Sequence, residues 1–182
     1  MTRGRGLCIL LGALATVAFT GCGYHVAGRN PALPKNITVI AVPAMENKTT
    51  TYRIEQKLTA ATIHEFLRKT RYKVVSDPNG GDAVLIGKVL SLEALPLTFQ
   101  STSTATTSTA QATTMLVTMR CDVTLTDRAS EKVLYHNDNF VFRGEYELST
   151  DVRSFFQEGD PALERMSQDF AARLVAAVTE NY

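Results

Sequence analysis

Hydrophobic and polar residues alternate most regularly between Met115 and Thr126, and this pattern predicts a β-strand with one buried face. The odd positions carry apolar side chains and the even positions carry polar ones, with Leu116 as the exception. A period of two places the apolar set on a core and the polar set toward water or a partner. Cys121 belongs to the apolar set, so we expect a buried structural thiol rather than a reactive one.

Other segments rich in β-branched and aromatic residues predict the rest of a sheet. The predicted strands are Ile37–Val42, Tyr72–Val75, Asp82–Leu92 and 132–146. The last of them has a polar centre, His136–Asn139, which indicates a bulge or an exposed edge.

Two amphipathic helices are predicted on either side of the long strands in sequence. The first covers 52–69, where apolar residues recur at three- and four-residue spacing. The second begins with Asp160 as a cap and Pro161 in the first turn. Its apolar stripe consists of Leu163, Met166, Phe170, Leu174 and Ala177, widened by Val175 and Val178. We therefore expect an α+β two-layer sandwich, with both helices on one face of a mixed four- to five-stranded sheet.

The segment from Thr98 to Thr114 interrupts these patterns with a different composition. Eleven of its 17 residues are Ser or Thr, none is charged, and no Lys or Arg occurs from Val89 through Met119. Such a tract is compatible with a flexible low-complexity loop. Threonine also favours extended backbone and offers uncharged hydroxyls, so a long hairpin that enters a partner is the alternative. An uncharged, hydroxyl-rich surface would suit the polar interior of a β-barrel.

The N-terminus has the features of a bacterial lipoprotein signal. Arg3 and Arg5 precede a 13-residue apolar stretch that is shorter than the ~20 residues needed to span a bilayer. The segment ends in Phe-Thr-Gly-Cys, which resembles a lipobox, although Phe19 stands where Leu is usual. We predict a signal peptide over residues 1–21, a lipidated tether over 22–36 that starts at Cys22, and one domain over 37–182. An ordinary secretory signal, which would leave Cys22 as a plain thiol, is the alternative.

Composition narrows the function further. Without residues 1–21 the chain has 17 Lys and Arg against 18 Asp and Glu, which argues against a general nucleic-acid binder. Cys121 is then left without an intramolecular partner, so the fold cannot depend on a disulfide. The sequence contains no nucleophile elbow, no phosphate-binding glycine loop and no His/Cys metal motif. We expect a protein that is not an enzyme and that has no cofactor, no catalytic residues and no metal site.

Several short segments together resemble the LptE family of lipopolysaccharide-assembly lipoproteins. They are Cys22–Val26, Leu33–Ile37, Ile54–Thr59 and Asp82–Val89, and the resemblance extends to the final helix. It implies an outer-membrane lipoprotein on the periplasmic side that plugs the LptD β-barrel and helps it assemble. It also implies assistance to lipopolysaccharide insertion into the outer leaflet. Gly23 after the cysteine, in place of Asp, agrees with the outer membrane.

Lipopolysaccharide binding, which the resemblance also implies, calls for cations that pair with the phosphates of lipid A. The candidates near the Thr-rich segment are Arg120, Lys88, Lys132 and Arg143. Arg120 is the first choice because it lies on the polar face of the alternating strand. Ile37–Pro43 with Asn47–Thr49 also resembles LpoB-like synthase activators and CsgG-like secretion lipoproteins, so a regulator of another envelope machine remains the alternative. An enzyme on a lipid tether is a third, weaker hypothesis.

Overall fold

The computed structural model describes residues 33–103, 108–147 and 161–180, with backbone alone described over 100–103 and 108–113. The elements are β1 Val39–Ala41, β2 Glu46–Asn47, α1 Ile54–Lys69, β3 Lys73–Val75, β4 Ala83–Ser103, β5 Ser108–Asp127, β6 Val133–Glu147 and α2 Pro161–Glu180. The predicted helices and strands are confirmed in kind and order. Asp160, the predicted cap of α2, lies outside the described residues.

The sheet is mixed and open. Its strand order is β3-β1-β4-β5-β6, with the two-residue β2 alongside β4. Strand β1 runs parallel to β3 and β4, and β4, β5 and β6 form an antiparallel meander. Helices α1 and α2 pack together against this sheet, which confirms the α+β sandwich. The β4–β5 pair extends beyond the predicted strands, because the Thr-rich tract continues both of them.

The core lies between the sheet and the helices. The odd positions of β5 from Met115 to Leu125 are all buried, as the alternation predicts. From α2, the ring of Phe170 meets Phe140 and Phe142 of β6 edge to face, each at a centroid distance of 5.9 Å. These contacts hold α2 against β6, the strand at one edge of the sheet.

Strand β6 is both bulged and at the sheet edge. Cys121 pairs with Phe140, and Val123 pairs with Asn137, so two residues of β6 stand opposite Asp122 alone. This is the bulge that the polar centre of the strand predicted. A second register shift in the β5–β6 pair lies between Leu125 and Thr126.

Two aspartates fasten the end of the sheet where β4 begins. Asp82 accepts hydrogen bonds from the Thr38 and Val39 amides, at 2.8 and 2.9 Å, and from the Thr38 hydroxyl at 2.8 Å. These bonds, the Thr38 amide first, lower the pKa of Asp82. Asp127 accepts hydrogen bonds from the amides of Ala129 and Ser130 in the β5–β6 turn, and its pKa is also lowered.

Leu33 is 2% exposed, so the packed domain includes residues before Ile37.

Candidate functional site: the outer sheet face and the hairpin ribbon

The face of the sheet opposite the helices, called here the outer face, carries the even-numbered side chains of β5. Thr118, Asp122 and Thr124 are partly exposed there and Arg120 is exposed. Directly paired residues of antiparallel strands point to the same side. The partners of these residues on β4 and β6 therefore belong to the outer face as well.

Three of the four predicted cations meet on this face. Lys88 pairs with Asp122, Arg143 pairs with Thr118, and Arg120 stands between them on β5. Lys132 lies before β6, where its carbonyl accepts a hydrogen bond from the Asp127 amide. Arg120 and Asp127 are seven residues apart, or about 23 Å along the strand. The structure thus places Lys88, Arg120 and Arg143 on one face of the sheet and leaves Lys132 at its other end.

Lys88 is engaged by a residue that the sequence did not single out. Its Nζ atom lies 3.0 Å from Oδ2 of Asp122, with the two side chains 41% and 23% exposed. The pair is a cross-strand contact between residues 34 positions apart. The only sequence signal for this ion pair was the presence of opposite charges on the two strands. That signal cannot be interpreted until the strand register is known. Arg120, which is exposed, is better placed than Lys88 to meet an anion.

The second carboxylate oxygen of Asp122 is the one buried side-chain oxygen or nitrogen without a hydrogen bond among the described residues. Nδ1 of His136 lies 4.0 Å from it and is 3.0 Å from the hydroxyl of Thr124. The outer face thus has a connected polar centre made of Lys88, Asp122, Thr124 and His136. Its charges are largely balanced internally.

The β4–β5 pair continues beyond this polar centre as a ribbon, defined here as residues 94–103 of β4 and 108–119 of β5. The two strands are paired as far as Ser103 opposite Ser108. Of the two conformations considered for the Thr-rich segment, the structure therefore shows the hairpin. Among the described strands, β4 has no second neighbour after Val89, and β6 accompanies β5 only as far as Thr114. From there outward the ribbon consists of two strands. Residues 104–107 lie outside the described part of the chain.

The ribbon combines an absence of charge with exposed apolar side chains. No residue from Ala94 through Met119 is Asp, Glu, Lys or Arg. Leu95, Leu97 and Phe99 are 59%, 45% and 58% exposed. An isolated two-stranded hairpin is marginally stable in water, and exposed apolar groups of this size are typical of contact sites. The ribbon is therefore the strongest candidate for an interaction element on this face.

The remaining sequence candidates for chemistry lie apart from one another. Cys121 is buried, and burial raises the pKa of its thiol to about 12. His64 lies on α1 and His136 on β6, while His25 is outside the described residues. In the described ranges, no three His, Cys, Asp or Glu side chains are grouped so that they could hold a metal ion. No described helix is long and apolar enough to cross a membrane.

The fold and the outer face define a small α+β domain with a polar outer sheet face and an uncharged two-stranded ribbon. The family model for LptE, described as lipopolysaccharide-assembly, matches residues 37–178. The chain belongs to this family. Its members are non-enzymatic lipoproteins of lipopolysaccharide assembly, and the family indicates an outer-membrane location.

Solved structures with a similar arrangement are distant. The PelC dodecamer of Paraburkholderia phytofirmans shares 14% identity, with 82% of this chain and 93% of that chain covered and a TM-score of 0.47. The rare lipoprotein B of Shewanella oneidensis shares 14% identity over 76% of this chain and 92% of that chain, with a TM-score of 0.39. At these identities and scores no function is carried from those proteins to this chain. No curated protein matches it.

Proposed function

We propose that this chain is an outer-membrane lipoprotein, anchored on the periplasmic side through a lipidated Cys22, that plugs the LptD β-barrel. There it helps the barrel to assemble and assists the insertion of lipopolysaccharide into the outer leaflet. The family membership supports the process. The observation that best supports a β-barrel as the partner is the uncharged ribbon.

A ribbon without charges suits an enclosed site within a barrel. Moving a charged side chain away from water costs much more free energy than moving a hydroxyl that finds a hydrogen-bond partner. The ten ribbon residues of β4, Ala94–Ser103, span about 33 Å at the usual rise of a strand, which is comparable to the thickness of a membrane. The ribbon is therefore long enough to reach deep into a barrel while exposing only neutral groups from Ala94 to Met119.

Contacts with lipopolysaccharide are assigned in this proposal to the cations of the outer face. Arg120 is the primary candidate because it is exposed beside the ribbon and its guanidinium can bind a phosphate through two hydrogen bonds. Arg143 is exposed on the neighbouring strand. Lys88 would first have to leave Asp122, and Lys132 is too distant to share a phosphate with Arg120. The last two therefore have secondary roles in the proposal.

Affinity purification of the full chain from detergent-solubilised envelopes tests the partner directly. We expect a large outer-membrane barrel in one-to-one amount, and we expect depletion of the chain to reduce surface lipopolysaccharide. Recovery of a peptidoglycan synthase, or of rings of this chain alone, would instead support a regulator or secretion component. Hydrolytic activity lost on changing a single Ser, His or Asp would support an enzyme.

The anchor has a separate test, because it is proposed to hold the domain at the membrane without taking part in its fold. Cys22→Ala should release the protein from the outer-membrane fraction, as measured by fractionation of the envelope. The released protein should unfold at the same urea concentration as the parent chain. A lower unfolding midpoint would contradict the role of a tether.

A further inference from the structure

Strand β6 is the last strand on its side of the sheet, and half of it is a regular edge without a neighbour among the described strands. The strand has 15 residues, against a mean of about 5–6 in globular proteins. Both of its register shifts with β5 lie in its first half, where the bulge opposite Asp122 interrupts the edge. From Phe140 to Glu147 the pairing with β5 continues without a shift. Every other residue of this half therefore directs its backbone N–H and C=O away from β5, where they can pair with a further strand.

This half of β6 has few of the features by which proteins usually prevent edge pairing. It contains no proline and no lysine. Its three charged residues, Arg143, Glu145 and Glu147, are all exposed, so none of them points into the sheet layer. A long, regular edge of this kind is a template for a strand of another chain.

Two charges of opposite sign stand on this edge without a partner in the described part of the domain. Arg143 and Glu145 are exposed on the outer face, and the residues paired with them on β5 are the uncharged Thr118 and Leu116. None of the ion pairs between described residues involves either charge. The packing of the described domain therefore does not account for them.

A second copy of this chain supplies the strand that complements the edge. In a two-fold antiparallel pair, each residue stands opposite the residue at equal distance on the other side of the axis. With the axis at Gly144, Arg143 of each copy stands opposite Glu145 of the other, with Cβ atoms about 5 Å apart. An axis at Arg143 or at Glu145 would instead place like charges opposite each other, which is destabilising. The charges thus favour the register centred on Gly144.

The helix side of the sheet is complementary in the same register, which places Phe142 of each copy opposite Tyr146 of the other. Within one chain, Cζ of Arg173 lies 4.9 Å from the centroid of the Phe142 ring. The Tyr146 hydroxyl donates a hydrogen bond to Asp169 at 3.0 Å. Both of these α2 residues are exposed. Since the two rings oppose each other across the axis, Arg173 of each copy lies on the side of Asp169 in the other.

We infer that β6 of two copies pairs along Phe140–Glu147 and joins their sheets in a two-fold dimer. Backbone hydrogen bonds supply the contact, and the charge pairs on both sides of the sheet set its register. Such a dimer closes on itself, so it differs from the rings that a secretion component would form. It is a state of the chain outside the barrel and does not depend on the proposed function. In the dimer Arg143 is engaged by Glu145, and Arg120 remains the exposed cation of the outer face.

Sedimentation equilibrium of the purified full chain measures this association, in a density-matched detergent with micelles in excess over protein. We expect a monomer–dimer equilibrium in which the dimer fraction rises with protein concentration. A monomeric mass at every concentration up to the solubility limit would overturn the inference. Assemblies larger than a dimer would overturn it as well, because a two-fold contact leaves no free edge of the same kind.

Charge reversal tests whether β6 is the contact. Arg143→Glu and Glu145→Arg each replace two attractive pairs with two repulsive ones, so each should raise the Kd of the dimer by about tenfold or more. The double variant Arg143→Glu/Glu145→Arg restores opposite charges in the same register and should return the Kd to within about threefold of the parent value. Lys35→Glu, an equal charge change at an exposed site, should leave the Kd unchanged. Urea unfolding verifies the fold of each variant, and single reversals without effect, or a folded double variant as weak as the single ones, would contradict pairing at this edge.

Discussion

Strands β4 and β5 pass through two regions that differ in almost every physical respect. In the base of the domain, their inner side chains are buried under two helices, as with Val89 and Val123, and their outer side chains form a charged centre around Asp122. In the ribbon, the same strands have no charge, and Leu95, Leu97 and Phe99 face solvent. The base is accounted for by its own packing. The packing of the domain does not account for the uncharged, partly apolar ribbon, and this is the reason for proposing that the ribbon contacts a partner.

The comparison leads to opposite expectations for mutations in the two regions. Substitutions in the base should lower the free energy of unfolding with little direct effect on a partner. Substitutions of the exposed ribbon side chains Leu95, Leu97 and Phe99 should leave that free energy nearly unchanged and weaken association. An exposed ribbon substitution that lowers stability, or a base substitution that weakens association without lowering stability, would contradict the distinction between the two regions.

The largest effect is expected for Phe170→Ala in α2. The ring is fully buried and contacts both Phe140 and Phe142, so its removal leaves a cavity between the helix and β6. We expect a loss of about 3–5 kcal/mol in the free energy of unfolding, measured by urea denaturation. A loss below about 1 kcal/mol would show that this contact does not hold α2 on the sheet.

A smaller loss is expected for Gly144→Ala in β6. A Cβ atom there would lie 2.5 Å from the Tyr146 hydroxyl, which donates a hydrogen bond to Asp169 of α2 at 3.0 Å. Burial and this bond raise the pKa of Tyr146. Displacing the ring should cost about 1–3 kcal/mol in urea denaturation. In a Tyr146→Ala background, which lacks the ring, Gly144→Ala should cost much less, and an undiminished cost would place the strain elsewhere.

Asp82→Ala tests the fastening at the start of β4 and should cost about 1–2 kcal/mol, since the carboxylate is partly exposed. Because the folded-state pKa of Asp82 is lowered, its contribution is present above the unfolded pKa of about 3.9 and is lost as pH falls through the folded pKa. The parent chain should therefore lose stability on acidification below about pH 4. Asp82→Asn should show a shallower pH dependence in the same measurement, and an unchanged slope would assign the acid sensitivity to other groups.

The smallest effect on stability is expected for Phe99→Ala in the ribbon, the counterpart of Phe170→Ala. Phe99 is 58% exposed, so the free energy of unfolding should change by no more than about 0.5 kcal/mol. The yield of co-purified barrel should nevertheless fall. A destabilisation comparable to that of Phe170→Ala would mean that the ribbon is part of the domain core.

Local patterns predicted the base well because the sheet and helices there follow regular periods. The alternation from Met115 to Thr126 identified the buried face, and the polar stretch His136–Asn139 identified the bulge. Strand register depends on contacts between distant segments, so the pairing of Lys88 with Asp122 and the separation of Lys132 from Arg120 were not predictable. The cavity lined by α1 and α2 was not predictable either, because it forms only where the two helices meet.

For the Thr-rich tract, composition left two conformations open. Threonine favours extended backbone, yet polar low-complexity sequence is also typical of flexible loops. The pairing of Gln100 with Gln111 and of Ser103 with Ser108 extends the hairpin well past the base. What composition did identify was the absence of charge, and this is the property on which the proposed contact depends.

The most direct test of the account shortens the ribbon and leaves the base intact. Residues 101–110 are replaced by Asn-Gly, which joins the paired Gln100 and Gln111 through a two-residue hairpin turn. The measurement is the amount of LptD barrel that co-purifies with this chain, relative to the parent, at equal expression and equal unfolding midpoint. The account predicts a shortened chain that remains folded and in the membrane fraction but recovers at least tenfold less barrel. Undiminished one-to-one recovery of the barrel would contradict it.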